Sequence, residues 1–241
     1  MGHLVLGRLV EERGSMYFPN RVTAGRWLAT ALERYRADHP IVLALPRGGV
    51  PVGYEVAHAL GAPLDVLVVR KVGAPDNPEL AVGAVAPGVT LIDHETVRLL
   101  GVSEAYLERA VARARREVQQ GLERFRGPEP WPDLRGRTVI VVDDGIATGA
   151  TAGAAVQAVR KLGAQRVIVA APVCSEDAER LRDVADDVVC LYRPKQFGAV
   201  GYWYLDFTQV PDEEVRALLK RARLEQEAHF TPMPADGPAA A

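Results

Sequence analysis

Val139-Ile140-Val141-Val142-Asp143-Asp144-Gly145-Ile146-Ala147-Thr148-Gly149-Ala150-Thr151 decides how the rest of this chain is read. Its first four residues are β-branched and form the short, unbroken apolar run of a strand covered on both faces of a parallel sheet. Asp143 and Asp144 then fall just beyond the strand's carboxyl end, the edge at which open α/β sheets bind ligands. From Thr148 to Thr151 the backbone carries only small side chains into the first turn of a helix, where unpaired amides and the positive end of the helix dipole attract phosphate. Two carboxylates repel phosphate but accept hydrogen bonds from vicinal hydroxyls. The stretch therefore reads as a site for a ribose bearing a 5-phosphate. A Walker A loop is a poorer fit because no Lys follows Gly149, and a dinucleotide fingerprint would need G-x-G-x-x-G before its acidic residue.

Strands and helices alternate on both sides of this stretch, the signature of a mostly parallel sheet. Residues 22–35 read as an amphipathic helix, with Trp27, Leu28, Ala31, Leu32 and Tyr35 at helical spacing. A buried strand over 41–45, a helix over 49–60 and a strand over 64–69 follow. The Gly/Pro-rich 72–78 reads as a mobile loop, 81–92 as a hairpin turning at Pro87-Gly88, and 103–126 as a long charged helix whose mixed signs mark a solvated face. Past Thr151 come a helix over 150–162, a strand over 166–171, a helix over 175–183 and a strand over 187–191. The aromatic, glycine-containing 193–208 breaks the pattern and reads as a small subdomain over the carboxyl edge of the sheet. A last helix over 211–226 has Asp212, Glu213 and Glu214 in its first turn, where they suit the dipole. The expected fold is α/β: a Rossmann-like, mostly parallel sheet flanked by helices. The expected organisation is one domain over 1–226, with a core of about 41–191, a hood of about 193–208 to which the N-terminal segment is a candidate contributor, and a disordered tail over 227–241.

Two further motifs fall at the same sheet edge. In Ala44-Leu45-Pro46-Arg47-Gly48-Gly49-Val50-Pro51 a strand runs into Arg-Gly-Gly and then a helix, offering a guanidinium and several amides to one anion. Arg70-Lys71 closes the next strand with two cations.

The central stretch resembles the phosphoribosyl pyrophosphate (PRPP) loop of type I phosphoribosyltransferases, in which an aliphatic strand, two acids and a Thr/Gly-rich turn occur in this order. It departs from that family at Gly145, where an aliphatic residue or Ser is usual, which predicts a looser turn. The resemblance covers about residues 41–208 and implies a Mg²⁺-dependent transfer of the phosphoribosyl group of PRPP to a nucleobase or similar nitrogen heterocycle, a pentosyl transfer of the nucleotide-salvage kind. It implies catalytic roles for Asp143, Asp144, Arg47 and Lys71. Substrate would be bound by Gly48, Gly49, Arg70, Gly145, Ile146, Ala147, Thr148, Gly149, Ala150 and Thr151. Mg²⁺ would be held mainly by PRPP and not directly by the protein. The family's pyrophosphate loop, which the Arg-Gly-Gly turn resembles, often has a strained or cis peptide before its glycine, so an unusual peptide is expected at Arg47-Gly48. The loop after Lys71 lies where the family has a flexible closing loop. Trp203, with Phe197, Tyr202 and Tyr204, is available to stack on a flat acceptor, or else these rings form the hood's own core. The family's frequent dimers imply a homodimer.

Composition bounds the rest. The chain of 241 residues is ample for one α/β domain, and its net charge of −2 gives no general attraction to nucleic acid or anionic lipid. Met1 to Arg13 is interrupted by charges and does not read as a signal peptide or a membrane span. Cys174 and Cys190 lack metal-ligand spacing, so a reduced, cytoplasmic setting is expected. Asp93-His94-Glu95 reads as a helix start capped by Asp93 and not as a metal cluster, because consecutive helical residues point different ways. Ser103 and Ser175 also read as caps, which leaves a hydrolase triad without a nucleophile. The reading from another class is a PRPP- or nucleotide-sensing regulator that keeps the fold without transfer.

Overall fold

The computed structural model describes residues 10–12, 15–78, 80–127 and 130–230. In chain order, β1 (Val10–Glu12) and β2 (Ser15–Tyr17) make a short antiparallel hairpin. Then follow α1 (Arg21–Leu32), β3 (Ile41–Ala44), α2 (Gly49–Leu60), β4 (Leu64–Val66), β5 (Arg70–Gly73), β6 (Ala81–Ala86), β7 (Val89–Ile92), α3 (His94–Leu99) and α4 (Glu104–Phe125). The second half adds β8 (Thr138–Val142), α5 (Ala150–Lys161), β9 (Arg166–Val173), β10 (Asp187–Tyr192) and α6 (Asp212–Phe230).

The central sheet has the order β10-β9-β8-β3-β4, and every pair in it is parallel. β8 lies in its middle, and Val139 to Val142 are at most 1% exposed. The burial of both faces is what an unbroken β-branched run requires. Alternate residues feed two separate cores. Val42, Ala44, Ile140 and Val142 pack on the side of α1, α2, α4 and α6, while Leu43, Val139, Val141 and Val169 pack on the side of α5. The mostly parallel, helix-flanked fold read from the sequence is the fold observed.

Several local expectations are corrected. The helix expected to Tyr35 ends at Leu32 and tightens into a 3₁₀ turn over Glu33–Asp38. Residues 175–183 are also 3₁₀, over Glu176–Asp183. Arg70–Gly73, expected partly as the end of a strand and partly as loop, is a strand of its own, paired with β6 in a three-stranded antiparallel sheet β5-β6-β7. The turn at Pro87-Gly88 lies between β6 and β7 with Gly88 at φ 70°, a conformation glycine adopts without steric cost. The final helix continues through Phe230, so 227–230 is helical and not tail; the rest of the expected tail, 231–241, lies outside the described residues, as does most of the start, 1–9 and 13–14. Cys174 and Cys190, expected reduced, are joined in a disulfide. Adjacent parallel strands bring their Cα atoms to 6.2 Å, within the span a bridge can close.

One buried ion pair ties the layers together. Arg126, which caps α4, donates to both oxygens of Asp65 on β4 at 2.7 and 2.6 Å, and both residues are under 9% exposed. A third bond from Arg126 to the Pro130 carbonyl and the Trp131 ring 5.0 Å from its guanidinium complete the enclosure.

Candidate active site at the carboxyl edge of β3 and β8

Because β3 and β8 are neighbours, the turns that leave them lie side by side. The Leu45 amide donates to the Val142 carbonyl at 2.8 Å, which carries the pairing one residue past β3. A Cβ on Gly48 would stand 1.9 Å from Asp144 Oδ2, and one on Gly49 would stand 2.8 Å from the Val142 carbonyl oxygen and 3.0 Å from Asp143 Cα. Only glycines let the two turns approach this closely. The unusual peptide expected at Arg47-Gly48 is found one bond earlier, where Pro46-Arg47 is cis. Arg47 is partly exposed, and its Nη1 lies 3.5 Å from Asp212 Oδ1 at the start of α6.

In the turn after β8, Ile146 is buried and donates its amide to the Val173 carbonyl at 2.9 Å. Ser175 is not the helix cap expected of it: its side chain makes no cap bond. Instead its amide donates to the Ile146 carbonyl at 2.8 Å and its hydroxyl donates to the Ala147 carbonyl. The turn is thus pinned from β9's end while Ala147, Thr148, Ala150 and Thr151 face solvent. Gly149 caps α5 at φ 74°, and the first-turn amides beyond it have no intrahelical acceptor. Gly145 is not the source of looseness expected of it. A Cβ there would meet Val200 at 2.4 Å and Val173 at 3.1 Å, so glycine allows the hood to close on the turn.

The hood forms from two segments far apart in sequence. Phe18 pairs with Tyr204 in an isolated bridge, and Phe18, Trp203 and Tyr204 share one apolar cluster. Trp203, expected to be open to an acceptor, is only 9% exposed; it stacks on Tyr17, meets Tyr192 edge-on and donates its Nε1 to the Phe197 carbonyl. It serves the hood's core. Tyr202 is 70% exposed and Phe207 is partly exposed, so these are the hood rings with surface to offer.

Arg21 went unnoticed in the sequence. From the first position of α1, where the Asn20 side chain caps the helix, its Nε donates to Asp144 Oδ2 at 2.8 Å and its Nη1 to the Thr208 carbonyl at 2.8 Å. Its guanidinium lies 3.9 Å from the Phe207 ring centroid. The Tyr204 hydroxyl donates to the Asp144 carbonyl at 2.5 Å. Burial, with the negative charge of Asp144 next, pushes the Tyr204 phenol far up, so it stays a donor. Burial and the neighbouring charge of Asp144 also push Asp143 well above the usual carboxylate range. Asp143 thus holds its proton more readily than a free carboxylate, and a cationic partner would favour its ionised form.

Arg70 pairs with Glu117 on α4 at 3.3 Å. Lys71 follows it on β5, so alternation turns it to the other face, and it is exposed. Both follow β4 in the chain, on the strand that pairs with β6 in the antiparallel sheet.

Among the described residues, no group of three or more His, Cys, Asp or Glu is placed to hold a metal. Mg²⁺ is commonly bound through substrate phosphates with only one or two carboxylates. Two acids beside an amide-rich turn fit a cation carried in on its substrate.

Residues 20–206 match the family described as "Phosphoribosyl transferase domain". Proteins of two Mycobacterium tuberculosis strains, named as candidate phosphoribosyl transferases, are 47% identical over 207 residues, which cover 85% of this chain and 47% of theirs. The chain thus spans about half the length of the curated relatives it matches. The crystal structure of TT1426 from Thermus thermophilus is 48% identical, with a TM-score of 0.80, covering 86% of this chain and 99% of that one. No helix among the described residues is long and apolar enough to cross a membrane.

Proposed function

We propose, for a chain that belongs to the type I phosphoribosyl transferase family, that it moves the phosphoribosyl group of PRPP to a ring nitrogen of a nucleobase or similar heterocycle. The observation that carries this reading is the contact between two turns, with Gly48 and Gly49 pressed against Asp143 and Asp144. It supports the reading because acids able to accept from ribose hydroxyls and a glycine turn able to offer amides to pyrophosphate would then be within reach of one substrate. PRPP, a sugar phosphate of the cell interior, goes with a cytoplasmic site of action.

In the reaction, the acceptor nitrogen donates an electron pair to the anomeric carbon while the bond from that carbon to the pyrophosphate oxygen breaks, its electrons leaving with pyrophosphate. The transition state has oxocarbenium character, so a positive sugar must be held beside a strongly negative leaving group. Asp143 and Asp144 accept hydrogen bonds from the ribose hydroxyls and oppose the developing positive charge. The 5-phosphate lies against the amides of Ala147 to Thr151 at the start of α5, the Ile146 amide being already given to the Val173 carbonyl. Gly48 and Gly49 offer amides to the pyrophosphate, and Arg47, Lys71 and Arg70 offer charge. Further neutralisation of the leaving group is what a PRPP-bound Mg²⁺ supplies. Closure of the segment between β5 and β6 over the site would keep water from the reacting sugar.

Pyrophosphate release from Mg²⁺-PRPP, measured with pools of purine, pyrimidine and pyridine bases, tests the reading, with Asp144→Asn as control. Release that depends on one pool and falls by about a hundredfold or more in the variant is expected, the scale of a lost electrostatic contact to a transition state. Release that persists unchanged in Asp144→Asn would sink the assignment. No release with any pool would leave the PRPP-sensing reading in its place.

A further inference from the structure

We propose that Arg21 is a positioning residue for Asp144, holding that carboxylate ready for the ribose and tying its placement to the hood. The assignment rests on the PRPP reading above. Arg21 opens α1, and a cation there stands at the positive end of the helix dipole, where it is disfavoured unless an anion offsets it. Asp144 is that anion. The pair is well enclosed, with side chains 11% and 14% exposed, and so is screened less than a surface pair.

Arg21 takes one carboxylate oxygen, Oδ2, and leaves Oδ1 to a sugar hydroxyl. It cannot drift, because Thr208 holds its Nη1 and Phe207 lies under its guanidinium. The Tyr204 hydroxyl fixes the main chain of the same aspartate. Asp144 is thus gripped at side chain and backbone by groups that all belong to the hood or its N-terminal partner. A lone aspartate beside Asp143 would swing away from its neighbour's charge; Arg21 keeps the two side by side. The same bond keeps Oδ2 over Gly48, where only a hydrogen leaves room for it.

Calorimetric binding of Mg²⁺-PRPP to wild type, Arg21→Gln, Arg21→Lys, Asp144→Asn and the Arg21→Gln/Asp144→Asn double variant tests this, with Tm recorded for each. Arg21→Gln is expected to weaken PRPP binding about tenfold, and Arg21→Lys by less. In the Asp144→Asn background, loss of Arg21 is expected to cost under about twofold, because residues that act through one another are not additive. An equal cost in both backgrounds, or no cost in either, would overturn the assignment while leaving the PRPP reading intact. If Arg21→Gln fails to fold, Arg21→Lys completes the same cycle. Absence of binding by the wild type would overturn the PRPP reading, and this assignment with it.

Discussion

Replacing Gly145 by alanine asks whether the hood truly rests on the turn that follows β8. The new Cβ would stand 2.4 and 2.8 Å from the two methyls of Val200 and 3.1 Å from Val173 Cγ1. Carbon atoms settle at about 3.5–4.0 Å, so the nearest pair overlaps by more than an ångström. Neither valine yields by rotating easily, since β-branched side chains are stiff at χ1 and Val173 is fully buried. Relief must come from backbone movement, which puts the cost in the upper part of the range of about 1–3 kcal/mol for overpacking. In a chain of this length that lowers Tm by roughly 4–12 °C, at about 2–4 °C per kcal/mol. Val200→Ala removes both offending methyls. The double variant should therefore be more stable than Gly145→Ala alone, with a coupling of about 1 kcal/mol or more. Thermal and urea unfolding of the four proteins measures the cycle. If Gly145→Ala melts with the wild type, or if the two substitutions simply add, the hood does not press on this turn.

Other perturbations report on neighbouring parts. Asp143 has a native pKa above its unfolded value of 3.8. Its contribution to stability is complete below that value and is lost as pH rises through the native one. Asp143→Asn should accordingly raise Tm near neutrality and flatten the fall of stability that sets in above the unfolded value; a variant no more stable than wild type at neutral pH contradicts this. Asp65→Ala leaves the Arg126 guanidinium buried without its carboxylate and should cost about 3–5 kcal/mol in urea unfolding; a loss under about 1 kcal/mol, the worth of a surface pair, would show that water reaches the site. Gly48→Ala would drive Asp144 off Arg21 and should both lower Tm and weaken PRPP binding by at least about tenfold; unchanged affinity would separate the two turns functionally.

What the sequence made legible was local. Val139 to Val142 announced a central strand because burial on both faces leaves no polar position, and Gly149 stood at the helix start, where the chain turns through positive φ. Asp143 and Asp144 declared themselves by following that strand. Arg21 gave no such signal, since it meets Asp144 across 123 residues; its one clue was a cation directly after a capping Asn20, at the wrong end of a helix for its charge. The disulfide was hidden for a related reason: a spacing of 16 residues does not say that the two strands carrying the cysteines are neighbours. Trp203 and Phe207 look alike in sequence, and only the packing of Tyr17 and Tyr192 around the first shows which is core. Gly145 read as slack because its neighbour Val200 lies on a distant segment.

The Phe18–Tyr204 bridge also orders events in time. During synthesis the five strands of the central sheet are all available once Tyr192 has been made, and that sheet can begin to assemble as the ribosome continues. The first piece of the hood, around Phe18, has by then been made well before its bridge partner. It waits for Tyr204, and Arg21 waits for Phe207 and Thr208. A nascent chain that already holds its sheet would thus remain without a gripped Asp144 until these last hood residues emerge. Competence to hold the sugar would arrive late and nearly all at once.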